Sequence, residues 1–338
     1  MLTLPVGALT VTASYAGDVN YNVATATVAQ TVAKGTPTVT VTTPLVAVQT
    51  GTGFTLTTRV AGATGTAAAT GVVTLTAVNA ANVSTALGTC TLVAGTCNLA
   101  VLSTKLPVGV YRITAAYAGD ANFLLASSAV LNFTVTKIVR AVTITTSAAS
   151  VVYKGTITYT VTIAKVTGTA NPSGSVTLTT LINNVVTTLG TCTLSTASTC
   201  TVTVPTATIV LPGGSYTITA TYAGDVNYET ATGTVTQTIT KVTTTATVAA
   251  VVSGGIGAMK ATLTITIGMP GATGTVNIMN GTTLLGTCTL ANNAAGTASV
   301  CTFVTAVLPR GTYPLTAVYA GNSSINAVTS AILSIKTL

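Results

Sequence analysis

The sequence predicts an all-β fold: tandem immunoglobulin-like β-sandwiches arranged as an extended rod. Three observations carry that expectation. Apolar and hydroxyl residues alternate with period two, as in Thr38-Val39-Thr40-Val41, or in Ile157, Tyr159, Val161 and Ile163 set among threonines. Gly, Pro, Asn and Ser interrupt these stretches at the short intervals that turns demand. One segment also recurs four times: Pro5 to Asp18, Pro107 to Asp120, Pro212 to Asp225 and Pro309 to Asn322. Its closing tyrosines, Tyr15, Tyr117, Tyr222 and Tyr319, lie 102, 105 and 97 residues apart. A period of about 100 residues is too long for a solenoid turn and suits a small sandwich.

Taken in order, residues 1–34 hold only the last two strands of an incomplete domain. Three complete domains are expected at 35–138, 139–242 and 243–338. In the second, strands are expected near 141–149, 156–164, 174–182, 185–194, 199–204, 214–222 and 230–240. Seven short strands in about 100 residues match an immunoglobulin-like sandwich. Threonine suits the outward positions, because its β-branch favours the strand while its hydroxyl stays hydrated. Junctions such as Thr136-Lys137-Ile138-Val139 and Thr240-Lys241-Val242-Thr243 contain no flexible spacer, which predicts limited freedom between domains.

The recurring segment has a physical reading. Tyr111, Ile113, Ala115 and Tyr117 fall on one face of a strand, since even spacings keep the same side. Tyr216 with Tyr222, Tyr313 with Tyr319, and Tyr15 in the first copy repeat the pattern, and all are expected in the core. The Ala-Gly-Asp that follows is a turn: Gly supplies backbone freedom, and Asp18, Asp120, Asp225 or Asn322 caps its own backbone.

The motif Gly-x-Tyr-x-Ile-Thr-Ala-x-Tyr-Ala-Gly-Asp-x-Asn-Tyr stands nearly intact at 214–228, and at 109–123 with Phe123 closing it. The last copy departs at Asn322-Ser323-Ser324-Ile325, and the first has Ala8-Leu9 where Tyr is expected. On these residues the whole chain resembles the bacterial Ig-like repeats found in tandem in secreted and cell-surface proteins. The resemblance implies a building block outside a bacterial cell and is specific for fold rather than function.

Composition excludes most enzyme chemistry. Of 338 residues, twelve are Lys or Arg and four Asp or Glu, with no His and no Trp against 80 threonines. A general base at neutral pH is usually His or a tuned carboxylate. No catalytic, cofactor-binding or metal-binding residue is therefore predicted, and no cofactor. A calcium site at the Asp turns would need several carboxylates, and only Glu229 lies near one of them. The net charge of +8 is spread thinly, without the basic stripe that nucleic-acid binding uses. No run of eighteen apolar residues marks a membrane-spanning helix.

Six cysteines fall two per complete domain, and the first of each pair lies in Leu-Gly-Thr-Cys-Thr-Leu. In general six allow fifteen pairings; the repeat reduces them to Cys90–Cys97, Cys192–Cys200 and Cys288–Cys301. The short intervening segments look like hairpin turns, so the expectation is three disulfides between neighbouring strands of one hairpin. Disulfides imply an oxidising compartment, hence export to the cell surface or beyond. Met1-Leu2-Thr3-Leu4 does not read as a signal peptide, so the chain is expected to begin partway through a longer protein. Residues 1–34 would then be completed either by upstream strands or by strand addition to another subunit, the latter building a filament. The leading functional expectation is an extracellular stalk, fibre or self-assembling filament. Its rivals are an adhesin-type module gripping a glycan or protein receptor, with Tyr153 or Tyr228 as candidate contacts, and a spacer from a larger secreted enzyme. The Asn82, Asn280 and Asn322 sequons are expected by chance in so Thr- and Ser-rich a chain.

Overall fold

The computed structural model describes residues 4–205 and 211–338; Met1–Thr3 lie outside them. Contacts gather the chain into two compact units. The first comprises residues 1–140 with 164–173 and 223–230, and the second residues 141–163, 174–222 and 231–338.

The first unit opens with an antiparallel hairpin, Gly7–Tyr15 against Ala24–Val32. It then holds two facing sheets. One has three strands, Thr38–Thr42, Phe54–Ala61 and Thr96–Val101. The other runs Ala47–Gln49, Leu131–Thr136, Gly109–Tyr117, Val72–Asn79 and Ser84–Thr91, with Ala126–Ser127 also on Gly109–Tyr117. Alternation does the packing: Phe54, Leu56 and Val60 of one sheet and Val73, Leu75, Tyr117 and Phe133 of the other are buried. Their rings meet across the layer, Phe54 stacking on Phe133 at 4.2 Å between centroids.

The second unit repeats the design twice. In the second repeat, Val142–Thr146, Thr156–Ile163 and Thr199–Pro205 face Ser150–Val152, Ala231–Thr240, Gly214–Tyr222, Ser175–Ile182 and Val185–Thr193. The strand expected over 141–149 is in fact two. Val142–Thr146 pairs antiparallel with Thr156–Ile163, and Ser150–Val152 crosses to the other sheet to run parallel to Ala231–Thr240. Ser147, Ala148 and Ala149 make the crossing, where Ser147 Oγ accepts from the Thr158 N–H at 3.1 Å. In the third repeat Ala246–Ser253, Lys260–Ile267, Ser299–Val304 and Ala291–Asn292 form one sheet. Thr283–Thr289, Thr275–Asn280, Gly311–Tyr319, Val328–Thr329 and Leu333–Thr337 form the other.

The structure joins the cysteines pairwise as Cys90–Cys97, Cys192–Cys200 and Cys288–Cys301, each with Cα atoms 5.8 Å apart. Their setting corrects the hairpin expectation. Cys90 lies in Ser84–Thr91 and Cys97 in Thr96–Val101, strands of opposite sheets; the other two pairs are placed alike. A tight turn does connect them, with Ala94 and Gly95 at φ 50° and 77°. The chain uses it to step from one layer to the other, so each disulfide clips the two layers together. The Gly two residues before the first cysteine permits this closeness. A Cβ on Gly190 would lie 2.7 Å from Val202 Cγ1, and one on Gly286 2.4 Å from the Phe303 ring, both side chains of the facing sheet.

Candidate functional site

The most informative residues are those the repeats share, and they gather at the strand Gly-x-Tyr and the Asp turn beyond it. In three copies the first tyrosine of this strand reaches back four residues. The hydroxyls of Tyr111, Tyr216 and Tyr313 donate to the carbonyls of Pro107, Pro212 and Pro309 at 2.7, 2.8 and 2.8 Å. This is the tyrosine corner of immunoglobulin-like sandwiches, which fixes the entry of a core strand. Tyr216 and Tyr313 are consequently half-buried rather than the core residues expected, since a corner keeps the ring near the sandwich end. The spacing Pro-x-x-x-Tyr was the available signal. The first copy lacks it, having Leu9 four residues after Pro5.

Tyr117, Tyr222 and Tyr319 close the strand and are buried to 2%, 1% and 1% exposure. Burial, reinforced by the Asp120 carboxylate, pushes the Tyr117 phenol up to about 12. The following Gly119 has φ 86°, and a Cβ there would lie 2.9 Å from Phe123 O, so the turn requires glycine. Asp120 then works with both oxygens. Oδ1 accepts from the backbone N–H groups of Asn122 and Phe123, both at 2.8 Å. Oδ2 accepts from the N–H and Oγ1–H of Thr70 at 2.9 and 3.0 Å. Asp225 does the same with Asn227, Tyr228 and Ser173. Burial opposes ionisation of Asp120, but these donors outweigh it and hold the carboxyl down at about 2; Asp225 shifts the same way. Asn322 keeps the Oδ1 bonds, to Ser324 and Ile325, but its Nδ2 donates to Gly271 O and Thr273 Oγ1. The turn is thus a clip between two loops of one sandwich. Among the described residues no group of three or more His, Cys, Asp or Glu could hold a metal ion.

A second recurring contact was not foreseen. The residue after each junction lysine forms a short parallel bridge with the Asp-turn loop. Gly35 exchanges bonds with Asn122 and Leu124, Ile138 with Asn227 and Glu229, and Val242 with Ser324 and Asn326. Lys34, Lys137 and Lys241 mark the place in the sequence, yet bonding through backbone alone leaves no side-chain signature.

The first copy differs. Tyr15 was expected in a core and is 46% exposed, because no second layer covers the hairpin. Tyr21, the counterpart of buried Tyr228 and Phe123, is 70% exposed. Asp18 Oδ1 still accepts from Asn20 and Tyr21, but its Oδ2 receives the Tyr15 hydroxyl at 2.7 Å. That bond from Tyr15, with the Asn20 and Tyr21 N–H groups, lowers the Asp18 pKa. The proposed receptor contacts are corrected as well: Tyr153 and Tyr228 are 6% and 1% exposed, packed inside loops where they cannot grip a ligand. Tyr228 donates to Ala170 O at 3.0 Å. Among the described residues no helix is long and apolar enough to cross a membrane.

A family model described as bacterial Ig-like domain (group 3) matches residues 36–136 and 144–240, together more than half of the chain. Among solved structures, a tetra-tandem repeat in the extending region of a large adhesion protein aligns over 99% of this chain and 82% of that one. It is 19% identical with a TM-score of 0.51, a likeness of fold. The Escherichia coli adhesin FdeC aligns over 87% of this chain and 96% of that one, at 14% identity and a TM-score of 0.31. Activated Escherichia coli alpha-2-macroglobulin aligns over 96% of this chain and 35% of that one, at 12% identity and a TM-score of 0.28. None of the curated proteins matches the sequence.

Proposed function

This chain belongs to the bacterial Ig-like domain (group 3) family, and on that premise we propose that it is a non-enzymatic structural protein of the bacterial cell surface or exterior. In this reading its domains, 35–138, 139–242 and 243–338, make a stalk or fibre that carries or spaces other parts. The observation that carries it is the reuse of one mechanical kit: tyrosine corner, loop clip and inter-sheet disulfide in each complete repeat. These devices resist unfolding and leave the recurring residues engaged with their own fold. The likeness to repeats described as an extending region supports spacing over receptor binding, and Tyr153 and Tyr228, the two tyrosines considered as receptor contacts, are buried. Disulfides support export.

In this reading association runs through the hairpin Gly7–Tyr15/Ala24–Val32, whose apolar face is open, by completion of a sandwich rather than by contact between two finished repeats. Antibody against the repeats should label intact cells of the source bacterium and lose that label to external protease. Label appearing only after permeabilisation overturns the surface assignment. Saturable, dose-dependent binding on a glycan array would replace the stalk by the adhesin reading.

A further inference from the structure

We infer that the hairpin Gly7–Tyr15/Ala24–Val32 is the closing pair of strands of a sandwich. Its partner is an Ig-like half that lacks its own last two strands and presents a strand of pattern Ser/Thr-Gly-x-Val-x-Leu/Ile. The inference deepens the association assigned to this hairpin above and rests on that assignment.

Register identifies the hairpin. Gly7 pairs with Val32 and Tyr15 with Ala24, just as Gly214 pairs with Ile239 and Tyr222 with Ala231. Each hairpin residue therefore has a counterpart in the second repeat at a constant offset. There, Ile218, Ala220, Tyr222, Tyr228 and Gln237 are all between 0% and 1% exposed. Their counterparts are Val11, Ala13, Tyr15, Tyr21 and Gln30, every one of them exposed. The opposite face of Gly7–Tyr15 carries Thr10, Thr12 and Ser14, so only one face asks for cover.

The complete repeats show what the cover is. Alongside the tyrosine strand lies an antiparallel neighbour whose Val faces the closing Tyr and whose Leu or Ile faces the Ala two residues earlier. The pairs are Val73–Tyr117 and Leu75–Ala115, Val176–Tyr222 and Leu178–Ala220, Val276–Tyr319 and Ile278–Ala317. The same neighbour is preceded directly by Thr70-Gly71, Ser173-Gly174 or Thr273-Gly274. In the first two repeats that Thr or Ser donates both N–H and O–H to the turn carboxylate. The oxygen of Asp18 that would receive this pair, Oδ2, is held instead by Tyr15. Apolar face, strand edge and carboxylate thus specify one partner. A folded second copy does not offer it, because Val72–Asn79, Ser175–Ile182 and Thr275–Asn280 are each already flanked on both sides.

The test places residues 139–211, the preceding strands of the second repeat, directly before Pro5 in the otherwise unchanged chain. A second version carries residues 35–106 of the first repeat, so that one half failing to fold does not decide the matter. Amide exchange over 7–32 and nitration of Tyr15 and Tyr21 are read by mass spectrometry. Exchange should slow by about 100-fold relative to the parent chain, towards the protection of 214–222, with both tyrosines shielded. Asp18→Ala in the extended chain should return part of that protection. Parent-like exchange in both versions overturns the inference. So does protection of 7–32 in the parent chain that rises with its concentration, which would make a second copy the occupant. Neither result bears on surface location, which the antibody experiment reads separately.

Discussion

Asp120 and Asn322 occupy one position in two repeats and solve it with opposite polarity. Around Asp120 the facing loop offers donors, the N–H and hydroxyl of Thr70; around Asn322 it offers acceptors, Gly271 O and Thr273 Oγ1. Each side chain therefore fits its own loop and not the other's. Asp120→Asn would turn either an amide N–H₂ towards the Thr70 N–H or lose a charge-assisted pair. Asn322→Asp would set a carboxylate against the Gly271 carbonyl. Both swaps should destabilise their repeat by roughly 1–3 kcal/mol, while Asn322→Ala should cost no more than Asn322→Asp. Urea unfolding followed by amide exchange in 109–123 and 311–325 separates the two repeats. Equal stability of the Asp120→Asn chain and the parent would show that the clip adds nothing. Asn at 322 reads from sequence as a tolerated substitute, and only the facing loop shows that the two residues are not interchangeable.

At the level of strands and their connections, alternation was a reliable guide in the complete repeats because their core strands bury one face, and a slip by one residue would invert it. The tyrosine strand, its turn and the cysteine pairing all follow from repetition in the sequence. Sheet membership does not. Cys97 follows Cys90 after a turn that a hairpin would also use, and nothing local says that the next strand joins the facing layer. The exposure of Tyr15 was hidden for a similar reason: its segment looks like that of Tyr222, and burial depends on strands elsewhere. The inter-sheet placement has a consequence that a hairpin staple would lack. Removing Cys192 and Cys200 together, as Ala, frees the edge strand Val185–Thr193 from the layer it faces, at a cost of about 2–3 kcal/mol on the loop-entropy estimate. Amide protection should fall in both Val185–Thr193 and Thr199–Pro205, strands that share no backbone ladder. Loss confined to residues 194–198 would mean that the bond merely closes a turn.

For the molecule as a whole, the scarcity of charge has a thermodynamic reading. No His is present and no cysteine is free, so no side chain with an ordinary pKa between about 5 and 8.5 exists to link folding to pH. The groups that do link it lie at the extremes. Asp120 is held at about 2 and Asp225 is lowered, so the stability they bring is present above the unfolded carboxylate value of about 3.9. It is lost as pH falls through the folded values. Tyr117 and Tyr159 are raised to about 12, both by burial first, so their contribution is full below the unfolded phenol value of about 10. It disappears as pH rises through 12. Melting temperature should therefore form a plateau from about pH 5 to 9 with an acid limb and an alkaline limb. The acid limb belongs to the repeats clipped by Asp, since the third holds Asn322 in that place. Amide exchange at pH 2.5 should accordingly show 109–123 and 214–228 opening ahead of 311–325. A melting temperature that drops by more than about 3 °C between pH 5.5 and 8.5 contradicts this account, since it requires a linked group that the sequence does not contain. Between the two limbs, a fold fastened by neutral corners, disulfides and carboxylates held far below neutrality keeps its stability.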